Sequence, residues 1–184
     1  MRELYRVITW IPGARAGRAG HPLHVPRNAQ GSGRVDNPDV YGVLYASTAP
    51  EGAIAEAFGH LATWSDSMLR RPGGGVRALA MYRLTNDRIL DLDDPAQLLA
   101  RALRPSRVVT RDREVTQAWA RAIYSEDRWA GVSWWSRYDA RWTSVAVWAI
   151  ETLHASRRVA PLSLTDPTVG RAAAALNRPR TLRD

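Results

Sequence analysis

The stretch that decides the fold reads VLYASTAPEGAIAEAFGHL and occupies residues 43–61. Its first four residues form a short apolar run, which is typical of a buried strand. Thr48 and Glu51 have the spacing of a capping box, and the proline between them is tolerated in a first helical turn. The stretch therefore predicts a strand followed directly by a helix.

The predicted helix has an apolar face and, opposite to it, a face of small residues. At 100° per residue the apolar face collects Ala53, Ile54, Ala57, Phe58 and Leu61. Glu56 lies on the other side, with Gly52, Ala55 and Gly59 as neighbours. Because these neighbours occupy almost no volume, we expect that another group can approach the Glu56 carboxylate closely.

Hydrophobic periodicity predicts further elements on both sides of this stretch. Strands are predicted over residues 4–10, 76–84, 89–92, 131–135 and 144–150. Helices are predicted over residues 95–103, 111–124 and 167–176, the last two with Thr110 and Asp166 as N-caps. The strands do not alternate strictly with the helices, so the pattern favours an α+β fold over a doubly wound sheet.

Length and composition restrict the class of protein. The chain has 184 residues, the size of one domain. It contains no cysteine, which excludes a disulfide framework, a thiol nucleophile and a cysteine-ligated metal site. The four histidines lack metal-ligand spacing, so metal catalysis is not expected. We find neither a signal-peptide pattern nor a run of about 18 apolar residues, and a soluble protein is expected.

Two loop regions stand out between the predicted elements. The segment of about residues 11–38 is too long for an ordinary connection, which makes it a candidate ligand lid. The triplet Gly73-Gly74-Gly75 lacks the lysine and hydroxyl residues that follow a phosphate-binding loop, and it predicts only a turn.

The formal net charge is +8, and all 26 basic residues are arginine. Arginine grips phosphate groups, so one interpretation is a surface for nucleic acid or another phosphate-bearing partner. The other interpretation is a coding bias that replaces lysine with arginine throughout. The arginines are scattered along the chain, which favours the compositional interpretation.

Five polar residues lie at the edges of otherwise apolar elements: Arg6, Arg34, Tyr45, Glu56 and Ser136. Each has an ordinary structural explanation when taken alone. Tyr45 is then a core aromatic, Glu56 a residue of an exposed helix surface, and Ser136 part of a turn at a strand end.

Taken together, these residues resemble a known pattern. An early Arg6, the sequence Gly-x-Gly-Arg34, the run from Leu44 to Glu56 and the segment Gly-Val-x-x-x-Ser136-Arg137 are similar to the RES-domain family, which is named for its Arg, Glu and Ser. Arg34, Tyr45 and Glu56 follow one another at intervals of eleven residues, as in that family.

The resemblance implies one ADP-ribosyltransferase-like domain over residues 1–184, with a mixed sheet flanked by helices. It implies an enzyme that cleaves the nicotinamide–ribose bond of NAD⁺, which is a substrate and not a recycled cofactor. Glu56, Arg34 and Ser136 would be the catalytic residues. Arg6, Arg34, Tyr45 and Ser136 would bind NAD⁺, and no metal would be needed.

The roles that the resemblance implies differ between these residues. Glu56 would stabilise positive charge on the ribose. Arg6 and Arg34 would bind the pyrophosphate or an attacking phosphate. Tyr45 would stack on the nicotinamide or ribose, and Ser136 would orient a polar group of the substrate. The role of Arg137 stays open between pairing with Glu56, binding a phosphate and facing solvent.

The resemblance also implies a partner and a location for the protein, and it leaves the acceptor of the reaction open. Its members are typically cytoplasmic toxins, each neutralised by an antitoxin that covers the active site, so any DNA association would be indirect. Phosphate, water or a protein can be the acceptor, and with a protein acceptor the chain would be a protein-directed ADP-ribosyltransferase. A basic nucleic-acid-binding module is the alternative from a different class.

Overall fold

The computed structural model describes residues 2–71, 75–86 and 88–181, so Gly73 and Gly74 of the predicted turn lie outside the described residues. The strands are β1 (Arg2–Trp10), β2 (Leu44–Ser47), β3 (Trp64–Ser65), β4 (Val76–Leu84), β5 (Ile89–Asp91), β6 (Gly131–Trp135), β7 (Thr143–Val147), β8 (Leu153–Pro161) and β9 (Arg180–Thr181). The α-helices are α1 (Pro50–Phe58), α2 (Pro95–Ala100), α3 (Pro105–Val108), α4 (Arg113–Tyr124) and α5 (Pro167–Ala175).

Seven of these strands form one mixed sheet in the order β5-β6-β7-β2-β1-β4-β8. The neighbours are antiparallel except β5 and β6, which run parallel. The two short strands β3 and β9 pair separately. The predicted single-domain α+β class is confirmed. The strand at the middle of the sheet is β2, and α1 follows it directly in the chain.

Three groups of buried side chains hold the layers together. One lies where α2, α3 and α4 cover β6 and β7, and it includes Trp119, Trp134 and Trp148. A second packs on the other side of the sheet around Tyr82. The third joins α1 to α5 and includes Phe58. Burying these apolar surfaces is the main source of stability for a chain without disulfides.

The prediction of a capping box between Thr48 and Glu51 at the start of α1 is wrong. The Thr48 amide donates to the Thr143 carbonyl of β7 at 3.0 Å, so it is not available to Glu51. The Glu51 carboxylate instead pairs with Arg171 of α5 at 2.7 Å. The helix begins after Ala49, and tertiary contacts have replaced the local cap.

The other predicted elements differ from the observed ones at their ends, and α3, β3, β8 and β9 were not predicted. The N-cap of α4 is Asp112, whose carboxylate accepts a hydrogen bond from the Val115 amide, and not Thr110 as predicted. Asp166 is the N-cap of α5, as predicted. The sequence pattern missed β8, because this edge strand pairs only with β4 and its sequence does not alternate regularly between apolar and polar residues.

The long segment after β1 is anchored to the sheet. Its backbone carbonyl at Pro22 accepts a hydrogen bond from the fully buried Tyr82 hydroxyl at 2.8 Å. The side chain of Gln30 exchanges two hydrogen bonds with the backbone of Val43, next to β2. Whether the segment acts as a lid stays a prediction.

Within the described residues, no helix has both the length and the apolar character needed to cross a membrane.

Candidate active site

A cleft opens in the middle of the sheet because β1 and β2 diverge. The two strands pair at one position, where Tyr5 lies opposite Ser47. Continued pairing would place Arg6 opposite Ala46 and Val7 opposite Tyr45. All four of these residues instead line a cavity of about 290 Å³. The site therefore exists because the sheet is incompletely closed at its centre.

A second cavity of about 170 Å³ adjoins the first. The two share the side chains of Tyr45, Glu56, Trp134 and Ser144. The first cavity, here called the inner cleft, is lined largely by apolar side chains and Arg6. The second, the arginine cleft, is lined by Arg34, Arg113 and Arg137 together with Trp135 and Val109.

Glu56 stands at the junction of the two clefts. Its Oε1 accepts a hydrogen bond from the Ser136 hydroxyl at 3.0 Å and a longer one from the Ser144 hydroxyl at 3.5 Å. Among the described residues, nothing donates to Oε2, and no cation lies within ion-pair distance of the carboxylate. One oxygen is thus fixed by the protein and the other is free for a ligand.

The small residues around Glu56 do not leave space for a ligand, contrary to the expectation from the sequence. A Cβ atom on Gly52 would lie 2.4 Å from the Ser47 hydroxyl, and one on Gly59 would lie 2.5 Å from the Tyr138 ring. These glycines let the β6–β7 connection and β2 pack closely against α1. The open space adjoins Ala53 and Ala57 instead, on the side predicted to be core.

Ser136 is buried and holds two elements together at the site. Its hydroxyl donates to Glu56 and accepts a hydrogen bond from the Tyr138 amide at 3.2 Å. Ser144 lies on the neighbouring strand β7 and lines both clefts. Sequence reasoning missed Ser144, because a serine within an apolar strand carries no signal until β6 and β7 pair and place Trp134 opposite it.

Arg6 reaches the inner cleft from β1. Its Nη1 is buried and has no hydrogen-bond partner in the described part of the chain. Burial lowers the pKa of the Arg6 guanidinium, although arginine stays charged at neutral pH. An unpaired buried donor is costly, so this nitrogen is suited to a polar acceptor on a ligand.

Tyr45 lines both clefts, and its hydroxyl is held by the loop that carries Arg34. The hydroxyl donates to Asp36 Oδ1 at 2.7 Å and accepts from the Val35 amide at 3.0 Å. Burial, followed by the hydrogen bond to Asp36, raises the pKa of Tyr45. Sequence reasoning missed Asp36, which is 4% exposed, since a single acidic residue in a loop gives no sign of burial.

Arg34 has much of its hydrogen-bonding capacity engaged by the protein. Its Nη1 donates to the carbonyls of Val108 and Thr110, the latter at 2.9 Å, and its Nη2 lies 3.4 Å from the carbonyl of Val109. The guanidinium also lies 6.0 Å from the centre of the Trp134 ring. Arg34 faces the arginine cleft while holding the segment between α3 and α4 in place.

The structure brings all five predicted residues to the same region. Arg6, Tyr45 and Glu56 line the inner cleft, Arg34 lines the arginine cleft, and Ser136 supports the Glu56 carboxylate. Among the described residues, no group of three or more histidine, aspartate or glutamate side chains is arranged to hold a metal ion. The site is therefore a carboxylate with arginines on either side of it.

These features define a single-domain α+β protein with an acidic residue set among guanidinium groups at the opening of its sheet. The sequence profile of the RES domain matches residues 3–169. The chain belongs to the RES-domain family.

A solved structure has a similar fold. The crystal structure of the M. tuberculosis MbcT-MbcA toxin-antitoxin complex contains a chain that matches with a TM-score of 0.64 at 18% sequence identity. The match covers 96% of this chain and 87% of the other. A comparison with curated proteins found no match.

Proposed function

We propose that this protein cleaves the nicotinamide–ribose bond of NAD⁺ and acts as the toxin of a toxin–antitoxin pair. The observation that carries the proposal is the Glu56 carboxylate at the junction of two arginine-containing clefts. Two serine hydroxyls hold its Oε1, and no described residue donates to its Oε2. Membership of the RES-domain family supports the same reaction.

The reaction breaks the bond between C1′ of the ribose and the nicotinamide nitrogen. The electron pair of that bond goes to the nitrogen, so nicotinamide leaves as a neutral molecule. Positive charge then develops on the ribose, and a fixed carboxylate close to the sugar stabilises it. We assign this role to Glu56, whose free Oε2 also accepts a hydrogen bond from a ribose hydroxyl.

The other residues would bind and orient the substrate. The unpartnered Nη1 of Arg6 is suited to a pyrophosphate oxygen, and Arg34 would contribute from the second cleft. The ring of Tyr45 offers a face for the nicotinamide or ribose. Ser136 keeps the carboxylate oriented during the reaction, which reduces the cost of reorganisation in the transition state.

An oxygen nucleophile would complete the reaction by bonding to C1′ and losing a proton. Inorganic phosphate and water are the small acceptors, and a protein side chain is the macromolecular one. The similar fold of a chain in the MbcT-MbcA toxin-antitoxin complex supports an antitoxin partner, and we propose that this partner covers the cleft. We propose a cytoplasmic location because NAD⁺ and such a partner would both be available there.

The test is to incubate the purified protein with NAD⁺, with and without inorganic phosphate, and to measure NAD⁺ and its products. We expect loss of NAD⁺ with release of nicotinamide. A phosphorylated ADP-ribose product that forms only with phosphate identifies phosphorolysis, and free ADP-ribose identifies hydrolysis. Intact NAD⁺ after incubation with the folded, partner-free protein under both conditions would contradict the proposal.

The same experiment distinguishes the alternatives. Radiolabel from the ADP-ribose part of NAD⁺ would appear on a macromolecule if the acceptor is a protein. A nucleic-acid-binding module would leave NAD⁺ intact and bind nucleic acid with an affinity that falls steeply with salt.

A further inference from the structure

The lining of the arginine cleft, as far as the structure describes it, carries more positive than negative charge. Its lining, among the described residues, has three guanidinium groups, those of Arg34, Arg113 and Arg137, and one carboxylate, that of Glu56. Among the described residues, none of the three arginines is within ion-pair distance of a carboxylate. By contrast, Arg101 and Arg171, elsewhere on the molecule, are paired.

Arg113 and Arg137 are exposed, and the described residues use few of their donors. Arg113 donates from Nε to the Ser32 carbonyl at 3.0 Å, and no described residue accepts from its two Nη atoms. Arg137 lies over the ring of Tyr138, 4.7 Å from its centre, and makes no hydrogen bond to the described residues. A planar guanidinium binds phosphoryl oxygens through its free N–H groups, so both side chains can reach an anion in the cleft, Arg113 anchored at Nε and Arg137 stacked on a ring.

The arginines also influence one another. Burial is the main cause of the lowered pKa of Arg34, and the positive charge of Arg113 is the next, with Arg137 adding to it. Mutual repulsion of this kind is relieved when an anion enters. An anion in the arginine cleft would lie next to Glu56 and Trp134, which line both cavities.

We propose that Arg113 and Arg137 form, with Arg34, a binding site for a phosphoryl group in the arginine cleft. The inference rests on the proposed function for the identity of the ligand and deepens it. The phosphoryl group is carried either by the dinucleotide substrate or by inorganic phosphate. In both cases it lies beside Glu56 and outside the inner cleft, where Arg6 is available to a further acceptor atom of the substrate.

The test is calorimetric titration of the full chain with ADP-ribose and, separately, with inorganic phosphate. The variants are Arg113→Gln, Arg137→Gln and the double variant, and Arg83→Gln is the control. Arg83 is exposed on β4 and lines neither cleft, and its substitution changes the net charge by the same amount as each single variant. Thermal unfolding of each variant checks that it is folded.

We expect each cleft variant to raise the Kd roughly tenfold over the Arg83→Gln control, the size expected for losing a charge-assisted hydrogen bond. If the variants weaken the binding of ADP-ribose but not of inorganic phosphate, the dinucleotide is the source of the phosphoryl group. Weaker binding of inorganic phosphate would identify the free ion. Glu56→Gln, which removes a neighbouring negative charge, should tighten binding.

The inference is overturned if the double variant binds both ligands as the control does, or if the unaltered protein binds neither. Its failure is distinguishable from failure of the proposed function. Binding that depends on Arg113 and Arg137 in a protein that leaves NAD⁺ intact would reject only the reaction. Cleavage of NAD⁺ with binding that is independent of both arginines would reject only the phosphoryl site.

Discussion

At the scale of single residues, Asp36 is central to the order of the site. Its Oδ2 accepts hydrogen bonds from the amides of Gly31 and Gly33, both at 2.7 Å, and its Oδ1 accepts one from the Tyr45 hydroxyl. A Cβ atom on Gly33 would lie 2.4 Å from that hydroxyl, so only glycine fits there. This buried carboxylate therefore fixes the turn that precedes Arg34 against the tyrosine of the cleft.

We expect Asp36→Asn to lower the free energy of unfolding by about 1–3 kcal/mol, because an amide cannot accept all three hydrogen bonds. Chemical denaturation measures the change, with the exposed Asp93→Asn as a control that should stay within about 0.5 kcal/mol. If Tyr45 and Asp36 act together, the effects of Tyr45→Phe and Asp36→Asn will not add in the double variant. Simple additivity would show that the two residues are independent.

At the scale of elements, the helices beside the site are joined by a charge network. Arg101, just after α2, donates from two nitrogens to both carboxylate oxygens of Glu126, which follows α4. Arg128 and the indole of Trp129 donate to the same carboxylate. The hydrogen bond from Arg101 is the main reason that the pKa of Glu126 falls to about 2. The network ties the end of the short helix α2, whose buried residue is Leu98, to the end of the longer α4.

The lowered pKa of Glu126 predicts how stability depends on pH. In the unfolded chain this carboxyl takes up a proton near its ordinary value of 4.5, whereas in the folded protein it stays ionised to about 2. Its contribution to stability is thus present above about pH 4.5 and is lost as the pH falls towards 2. We expect Glu126→Gln to be less stable than the unaltered protein at pH 7, with the difference shrinking below pH 4.5. A difference that is the same at pH 7 and pH 3 would contradict this assignment.

At the scale of the whole molecule, the site depends on the order of strands in the sheet. The strand β1 lies between β2 and β4, and it pairs with β4 along its whole length but with β2 at one position. Glu56 comes from the helix that follows β2, and Ser136 and Ser144 come from the end of β6 and from β7. The opening between β1 and β2 brings these distant parts of the chain together.

Local patterns in the sequence predicted most of the helices and strands, but they did not predict the opening between β1 and β2. The periodicity of residues 43–61 predicted β2 and α1, since burial follows the alternation of residue types over short distances. It could not show that β1 and β2 diverge, because strand pairing is a long-range property. For the same reason, the sequence predicted open space beside the glycines next to Glu56, whereas the Tyr138 ring packs against Gly59 there.

The candidate site residues were predicted from the family resemblance and not from periodicity. All five lie at or beside the clefts, while their chemical roles stay predictions. The sequence did not reveal Asp36, Ser144 and Arg113. Asp36 binds residues within ten positions of it, whereas Ser144 and Arg113 bind partners more than eighty positions away. Their importance depends on pairings that only the folded structure brings about.

The most direct measurement is the rate of nicotinamide release from NAD⁺ by the purified protein and by Glu56→Gln, which keeps the side-chain volume and removes the charge. The matched control is Glu51→Gln, on the same helix, whose carboxylate pairs with Arg171 and does not line either cleft. We expect Glu56→Gln to lower kcat by about 10²-fold or more, the usual cost of removing one electrostatic stabiliser of a transition state. Glu51→Gln should stay within a few-fold of the unaltered protein. Equal rates for the unaltered protein and a folded Glu56→Gln variant would contradict the account.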